Sequence, residues 1–304
     1  MHKNGLKLGI YQNLGRRTCM NYPGITGHMK VDVKTFMEWD VDMIKLDACF
    51  TATTTLNKGY INFGRLLNQS PKPIVYSCSW PYYQVHASQV HIVPNWDLIS
   101  HNCNLFRVFH DIHPDWKSLL ATIDFMSDNQ EIFRRITGPG SWPDPDMLLI
   151  GDSGLSFGEA KAQMAVWCIF PAPLFMSNDP RTIDSKFKSI LLNREAIAIN
   201  QDELTIPGER IFHNQTMDIW RRLLSNNTVA FVVLNRQNDL PIDLKLPIEQ
   251  VASIVNNTSE IQVFDVFKAV SSSFHIKLNS LNWFDVHVEP KTVTFLRMQP
   301  LTII

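Results

Sequence analysis

The sequence predicts an α/β unit followed by an antiparallel β domain, and three observations carry that reading. Short apolar runs rich in β-branched residues recur between helix-like stretches up to about residue 205. Beyond it the pattern turns to strand-like alternation. Pro207-Gly208 punctuates the change, so the domains are drawn at 1–208 and 209–304.

The runs at 6–11, 41–47, 74–79, 96–100, 147–150 and 172–176 are short and apolar, the composition of strands buried on both faces in a parallel sheet. Helical patterns at 33–39, 60–67, 116–126 and 159–170 separate them. The last begins with Ser156-x-x-Glu159, whose two side chains can each satisfy an amide left open in a first helical turn. Alternation of this kind fits either a (β/α)8 barrel or an open doubly wound sheet. The six runs fall short of the eight strands a barrel needs. In the second domain the segments 217–222, 228–235, 261–267, 274–278, 285–289 and 292–298 read as antiparallel strands.

With 28 basic against 29 acidic residues and 45% hydrophobic residues, the 304-residue chain is globular and carries no basic field suited to nucleic acid or an anionic membrane. No apolar run reaches the roughly 18 residues a membrane-spanning helix needs. Residues 1–10 lack the apolar core of a signal peptide. Sequons at Asn68, Asn214, Asn226, Asn256 and Asn257 nevertheless point to the secretory route. Five cysteines, at 19, 49, 78, 103 and 168, show neither C-x-x-C spacing nor a histidine pair at ligand spacing, which argues against zinc. Four can pair. Cys168, inside the apolar run 164–170, reads as a buried thiol.

Parallel α/β folds place their chemistry at the carboxyl ends of strands. Lys45 and Asp47 lie two apart, hence on one strand face, with Asp47 at the end. Alone, that carboxylate reads as an ion-pair partner or a helix cap as readily as a catalytic group. Arg107 and Asp111 are four apart, the spacing of a helical ion pair. Trp142-Pro-Asp-Pro-Asp146 sets two carboxylates in a proline-stiffened segment, and 74–83 ends a strand in hydroxyls and aromatic rings that suit a sugar. Without a phosphate loop, nucleophile elbow or metal motif, hydrolysis of a glycoside by paired carboxylates is the chemistry these groups serve.

The motifs Lys7-Leu-Gly-Ile-Tyr11, Lys45-Leu-Asp47-x-Cys49, Tyr76-Ser-Cys-Ser-Trp-Pro81, Cys103-Asn-Leu-Phe-Arg107-x-x-x-Asp111 and Gly138-Pro-Gly-Ser-Trp-Pro-Asp-Pro-Asp-Met147 together resemble glycoside hydrolase family 27, which contains α-galactosidase and α-N-acetylgalactosaminidase. The resemblance implies a (β/α)8 barrel with a C-terminal antiparallel β-sandwich. It also implies a retaining exo-glycosidase acting on terminal α-linked galactose or N-acetylgalactosamine in glycoconjugates. By resemblance Asp47 is the nucleophile and Asp111 the acid/base, carboxyls that a retaining mechanism sets about 5–5.5 Å apart. Tyr11, Lys45, Arg107 and Asp146 match positions that contact sugar hydroxyls or hold the carboxylates, and Met147 matches a wall residue. Cys19–Cys49 and Cys78–Cys103 match the family's disulfides.

Specificity in this family is attributed to the segment holding Ser79 and Tyr82. Serine goes with N-acetylgalactosamine, and tyrosine stands where the family's small alanine leaves room for the acetamido group, so the reading leans only slightly to N-acetylgalactosamine. Tyr83 agrees with the family in either case. No metal or cofactor is implied. A homodimer and a lysosomal or secreted location are. The family's signal peptide and first two βα units find no counterpart before Met1, so the barrel is expected to be N-terminally truncated. The alternative function is then a catalytically silent or sugar-binding remnant.

Overall fold

The computed structural model describes residues 1–86, 92–247, 260–268, 273–277 and 283–301. The sequons at Asn256 and Asn257, and Leu278 at the end of the expected strand 274–278, lie outside the described residues. The chain divides into two compact units, Met1–His110 with Ile136–Pro145, and Asp111–Arg135 with Asp146–Ile304. Compactness thus groups the later helices of the α/β region with the β strands, although strand character itself begins at Glu209, next to the expected boundary.

In the first unit five strands pair in parallel in chain order: β1 (Gly9–Asn13), β2 (Met43–Asp47), β3 (Val75–Cys78), β4 (Leu105–Arg107) and β5 (Trp142–Asp144). Helices α1 (Met29–Glu38), α2 (Leu56–Leu67), α3 (Trp80–Val85) and α4 (Trp96–Asn102) fall between them. One face of the sheet is closed by apolar packing, with Ile44, Leu46, Cys78 and Phe106 all fully buried. The other face carries the polar residues. Tyr11, Lys45 and Ser77 share one level of the register, and Asn13 and Asp47 the next.

Three expectations are corrected here. The run 96–100 is helix α4 and not a strand. Its apolar pattern is too short to separate the two periods, and Asn95 decides by accepting the Leu98 amide at 3.0 Å as N-cap. The strand that belongs there is β4, three residues containing an arginine. Arg107 and Asp111 form no helical pair, because Arg107 ends β4 and the next helix starts only at Trp116. The runs 147–150 and 172–176 leave a single parallel bridge, Leu148 to Met176, in the second unit.

The second unit contains helices α5 (Trp116–Asp128), α6 (Gln130–Ile136), α7 (Phe157–Ile169), α8 (Ser185–Leu191) and α9 (Arg194–Asn200). The expected capping box at α7 is present, Ser156 accepting from Glu159 and Glu159 from the Ser156 amide. Strands β6 (Glu209–His213), β7 (Met217–Leu224), β8 (Thr228–Asn235), β10 (Glu260–Asp265), β11 (Phe274–Lys277) and β13 (Val293–Pro300) form one sheet in the order β11-β10-β13-β8-β7-β6. Strands β9 (Ile242–Pro247) and β12 (Trp283–Val288) form a second, antiparallel pair. Alternate residues of both sheets, among them Phe231, Val233, Val263, Leu296, Leu246 and Val286, meet in one buried cluster, the arrangement of a sandwich. β6 and β9 are additions to the strands expected from sequence.

Candidate active site

Asp47 ends β2 and is half-buried. Its Oδ2 accepts a hydrogen bond from the Tyr11 hydroxyl at 2.9 Å, and its Oδ1 accepts from the Ala48 amide at 3.2 Å. Both oxygens are thereby oriented by fixed donors, one from the neighbouring strand and one from the turn that follows. The turn has its own support. Asn13, fully buried, receives the Cys49 amide at 2.7 Å and donates to the carbonyls of Cys49 and Arg17 at 2.9 and 2.8 Å. A β-carbon on Gly15 would come within 2.3 Å of the Cys49 carbonyl, so only glycine lets the loops after β1 and β2 approach this closely.

The Cys19–Cys49 disulfide joins the same two loops, and Cys78–Cys103 joins the end of β3 to the segment before β4. The Cys19 sulfur lies 3.4 Å from Asp47 Oδ2 and 3.4 Å from the Tyr11 oxygen. A disulfide sulfur carries no hydrogen and the single Tyr11 hydroxyl hydrogen goes to Asp47 Oδ2, so both are contacts. The Tyr83 hydroxyl lies 3.0 Å from the Cys49 sulfur. Burial, reinforced by the Asp47 carboxylate, pushes the Tyr83 phenol well above its ordinary range, and it stays a neutral donor.

Ser79 stands at the N-cap of α3 and Tyr82 lies within it. Ser79 is buried, and its amide donates to the Leu46 carbonyl of β2 at 3.0 Å, which fixes the serine beside the strand that Asp47 ends. Tyr82 stands edge-on to Tyr83 at 5.1 Å between centroids and edge-on to His110 at 5.8 Å. The two rings of α3 thus make a wall extended by a histidine from the loop after β4. Lys45 occupies its expected place on the polar face, beside Tyr11 and Ser77 in the register.

Arg107, buried at the end of β4, donates from Nη2 to the His110 carbonyl at 2.6 Å. In the second unit Asp146, also buried, accepts the Ile112 amide at 2.9 Å, and its own carbonyl accepts from the Trp167 indole at 2.8 Å. His110 and Ile112 are the chain neighbours of Asp111, which is itself exposed. Arg107 and Asp146 therefore hold the backbone on both sides of the expected acid/base. Met147 is half-buried and its carbonyl accepts from Gln163 at 3.0 Å.

Asn13, Gln163 and Trp167 are supports that sequence reading missed. Asn13 follows Tyr11 by one strand period, a signal visible only with the strand extended past residue 11. Cys168 is buried and unpaired to any cysteine, and burial pushes its thiol up to about 12. Cavities of about 450 Å³ beside Asp202 and Arg297, and about 550 Å³ beside Met29 and Arg65, include none of the site residues. Among the described residues, Asp124, His213 and Asp218 lie close enough together to share a cation, but Arg236 already pairs with both carboxylates.

A family profile described as alpha galactosidase A matches residues 1–202, and one described as its C-terminal beta sandwich domain matches 206–292. The chain is 45% identical over 242 residues to the alpha-N-acetylgalactosaminidase of Mus musculus, covering 79% of this chain and 58% of that protein. It is 39% identical over 303 residues to the same enzyme of Rattus norvegicus, covering 99% and 71%. To human alpha-galactosidase A it is 42% identical over 238 residues, covering 78% and 54%. The chain thus spans between about half and three quarters of the length of these relatives. In structure it resembles alpha-galactosidase I from Mortierella vinacea, with a TM-score of 0.82 at 22% identity over 98% of this chain and 78% of that one. It also resembles the alpha-galactosidase of Saccharomyces cerevisiae, with a TM-score of 0.79 at 19% identity over 98% and 81%. The fold is that of a (β/α) barrel followed by an antiparallel β-sandwich.

Proposed function

The chain belongs to the alpha galactosidase A family, and from that membership we propose that it is a retaining exo-glycosidase that removes terminal α-linked galactose or N-acetylgalactosamine from glycoconjugates. The observation that carries the proposal is the Asp47 carboxylate at the end of β2, with Tyr11 donating to one oxygen and a backbone amide to the other. A carboxylate held in this way keeps its aim for attack on an anomeric carbon.

In the first half-reaction Asp47 attacks the anomeric carbon while Asp111 gives its proton to the leaving oxygen. Asp111 then takes a proton from water, which displaces the sugar from Asp47 with net retention. Lys45, Arg107 and Asp146 serve this chemistry by binding sugar hydroxyls or by holding the segment around Asp111, and Met147 forms part of the wall. Domains 1–208 and 209–304 are the catalytic and sandwich portions. Ser79 favours the 2-acetamido sugar and the Tyr82 ring crowds it, which leaves a slight preference for N-acetylgalactosamine, in line with the names of the relatives.

A lysosomal or secreted location suits two disulfides and exposed sequons. Asn214 is one of these, its Oδ1 accepting from the Thr216 hydroxyl at 2.9 Å in an exposed turn between β6 and β7. No helix among the described residues is long and apolar enough to cross a membrane. By family likeness the enzyme is a homodimer.

The test is hydrolysis of nitrophenyl α-galactoside and nitrophenyl α-N-acetylgalactosaminide by the full-length protein, with Asp47→Asn as control. Cleavage of one or both, abolished by the substitution, is expected. If neither is cleaved, the proposal is lost.

A further inference from the structure

We propose that the Cys19–Cys49 disulfide is a thiol-modifiable site abutting the nucleophile, and that its reduction by a small monothiol of the glutathione class lowers turnover without unfolding the chain. This rests on the reading of Asp47 as the nucleophile.

Three observations lead there. First, the two disulfides differ in access: Cys78 and Cys103 are buried, whereas Cys19 is exposed and Cys49 half-exposed. An attacking thiolate reaches an exposed sulfur and not a buried one, so exchange falls on Cys19–Cys49 first. Second, the backbone around this disulfide is held independently of it. Asn13 bonds both the amide and the carbonyl of Cys49 and the carbonyl of Arg17, on the two loops the disulfide joins. Opening the bond therefore leaves the turn beside Asp47 in place. Third, the Cys19 sulfur lies 3.4 Å from Asp47 Oδ2 and the Cys49 sulfur 3.0 Å from the Tyr83 hydroxyl.

The consequence is chemical. In the oxidised protein the sulfur next to Oδ2 has no hydrogen to give, and the Tyr11 hydroxyl donates to that oxygen. Reduction consumes two monothiols: the first forms a mixed disulfide with one cysteine and releases the other as a thiol, and the second frees the remaining cysteine, with one small-molecule disulfide as product. Two electrons and two protons end on Cys19 and Cys49. The new Cys19 S–H then stands within hydrogen-bonding reach of Oδ2, the oxygen that Tyr11 already occupies. A second donor on that oxygen draws off charge and weakens the nucleophile. The wall rings of Tyr82 and Tyr83 keep their places on α3, so the change falls on kcat, by about tenfold for one added donor to a charged group, and not on KM.

The experiment is a titration of the full-length enzyme with reduced and oxidised glutathione. Three quantities are followed at each ratio: kcat and KM on an aryl α-glycoside, far-ultraviolet circular dichroism, and the alkylated cysteine peptides by mass spectrometry. The expected result is that the Cys19 and Cys49 peptides become alkylated before those of Cys78 and Cys103. Over the same range kcat falls with KM and the dichroism constant, and it returns on re-oxidation. Two double variants separate donor chemistry from loss of a tether. Cys19→Ser with Cys49→Ser, which supplies hydroxyl donors, is expected to show a kcat several-fold below that of Cys19→Ala with Cys49→Ala, which supplies none.

Equal kcat in the two double variants, prior opening of Cys78–Cys103, or a loss of activity that tracks the dichroism would each overturn the inference. So would full activity with Cys19–Cys49 open. If the enzyme stays active with that disulfide open while Asp47→Asn is dead, only this inference fails. If Asp47→Asn is itself active, the assignment of the nucleophile fails with it.

Discussion

Tyr11 donates its hydroxyl hydrogen to Oδ2 of Asp47 across 2.9 Å, from the strand next to the one Asp47 ends. Parallel register sets this relationship up, since Tyr11 pairs with Lys45 and Asp47 lies one strand period further on the same face. Hydrogen bonds to charged groups contribute about 1.5–3 kcal/mol. The bond also fixes the aim of the carboxylate, and losing that aim outweighs the charge the donor draws off, so Tyr11→Phe is expected to lower kcat/KM on an aryl α-galactoside by roughly ten- to a hundredfold, with the melting temperature unchanged. An unchanged kcat/KM would remove Tyr11 from the machinery.

Asp146 is predicted to act through the segment holding Asp111, because its carboxylate accepts the Ile112 amide. Asparagine keeps an acceptor oxygen at that place and alanine does not. Asp146→Ala should lose at least tenfold more kcat than Asp146→Asn, roughly the value of one such bond. Steady-state kinetics of the two variants decides it, and equal losses would mean that the negative charge itself is what matters.

The stability of the second unit is predicted to depend on Asp218. This fully buried carboxylate accepts from Arg236 at 2.6 Å and pairs with His213, while Arg236 also holds Asp124 of α5 at 2.7 Å. Removing Asp218 leaves the largely buried Arg236 guanidinium with Asp124 alone and opens a gap in the buried network, a loss of about 3 kcal/mol. Urea unfolding of Asp218→Ala should show the midpoint moving down accordingly. A shift below about 1 kcal/mol, the range of exposed ion pairs, would show the network to be solvated.

A pH effect is predicted at His287, whose ring lies 2.8 Å from Asp243 and 3.3 Å from Glu289. Asp243 first, then Glu289, raises the imidazole above its ordinary 6.5. The sign follows from linkage. The stabilisation is fully present below 6.5 and fades as pH rises through the raised folded value. A proton magnetic resonance titration should find His287 above 6.5 in the parent and lower in Asp243→Asn. A parent value at or below 6.5 would contradict this.

Much of the fold was legible because its signals are local. Apolar runs bounded by turns mark β1 to β3, alternation marks most of the sandwich strands, and Ser156 with Glu159 announces the start of α7. The failures have equally physical causes. At 96–100 the apolar pattern admits two periods, and a single asparagine cap settles it. β4 and β5 are three residues each and carry Arg107 and Pro143, so composition hides them. At the site, Asp47 was visible as a carboxylate ending an apolar run, Arg107 as one of a pair four residues apart with Asp111, and Asp146 as one of two carboxylates in a proline-stiffened segment. Asn13 was not, because its role comes from bonds to Arg17 and Cys49 that only the folded loops bring within reach.

The central claim is that Asp47 becomes covalently glycosylated during turnover. Incubating the full-length enzyme with an activated fluorosugar that slows deglycosylation, then digesting it and sequencing the labelled peptide by mass spectrometry, tests this directly. The account predicts a mass increase of one glycosyl unit located on Asp47 and absent from Asp47→Asn. A label on any other residue, or turnover of the reagent by Asp47→Asn, would contradict it.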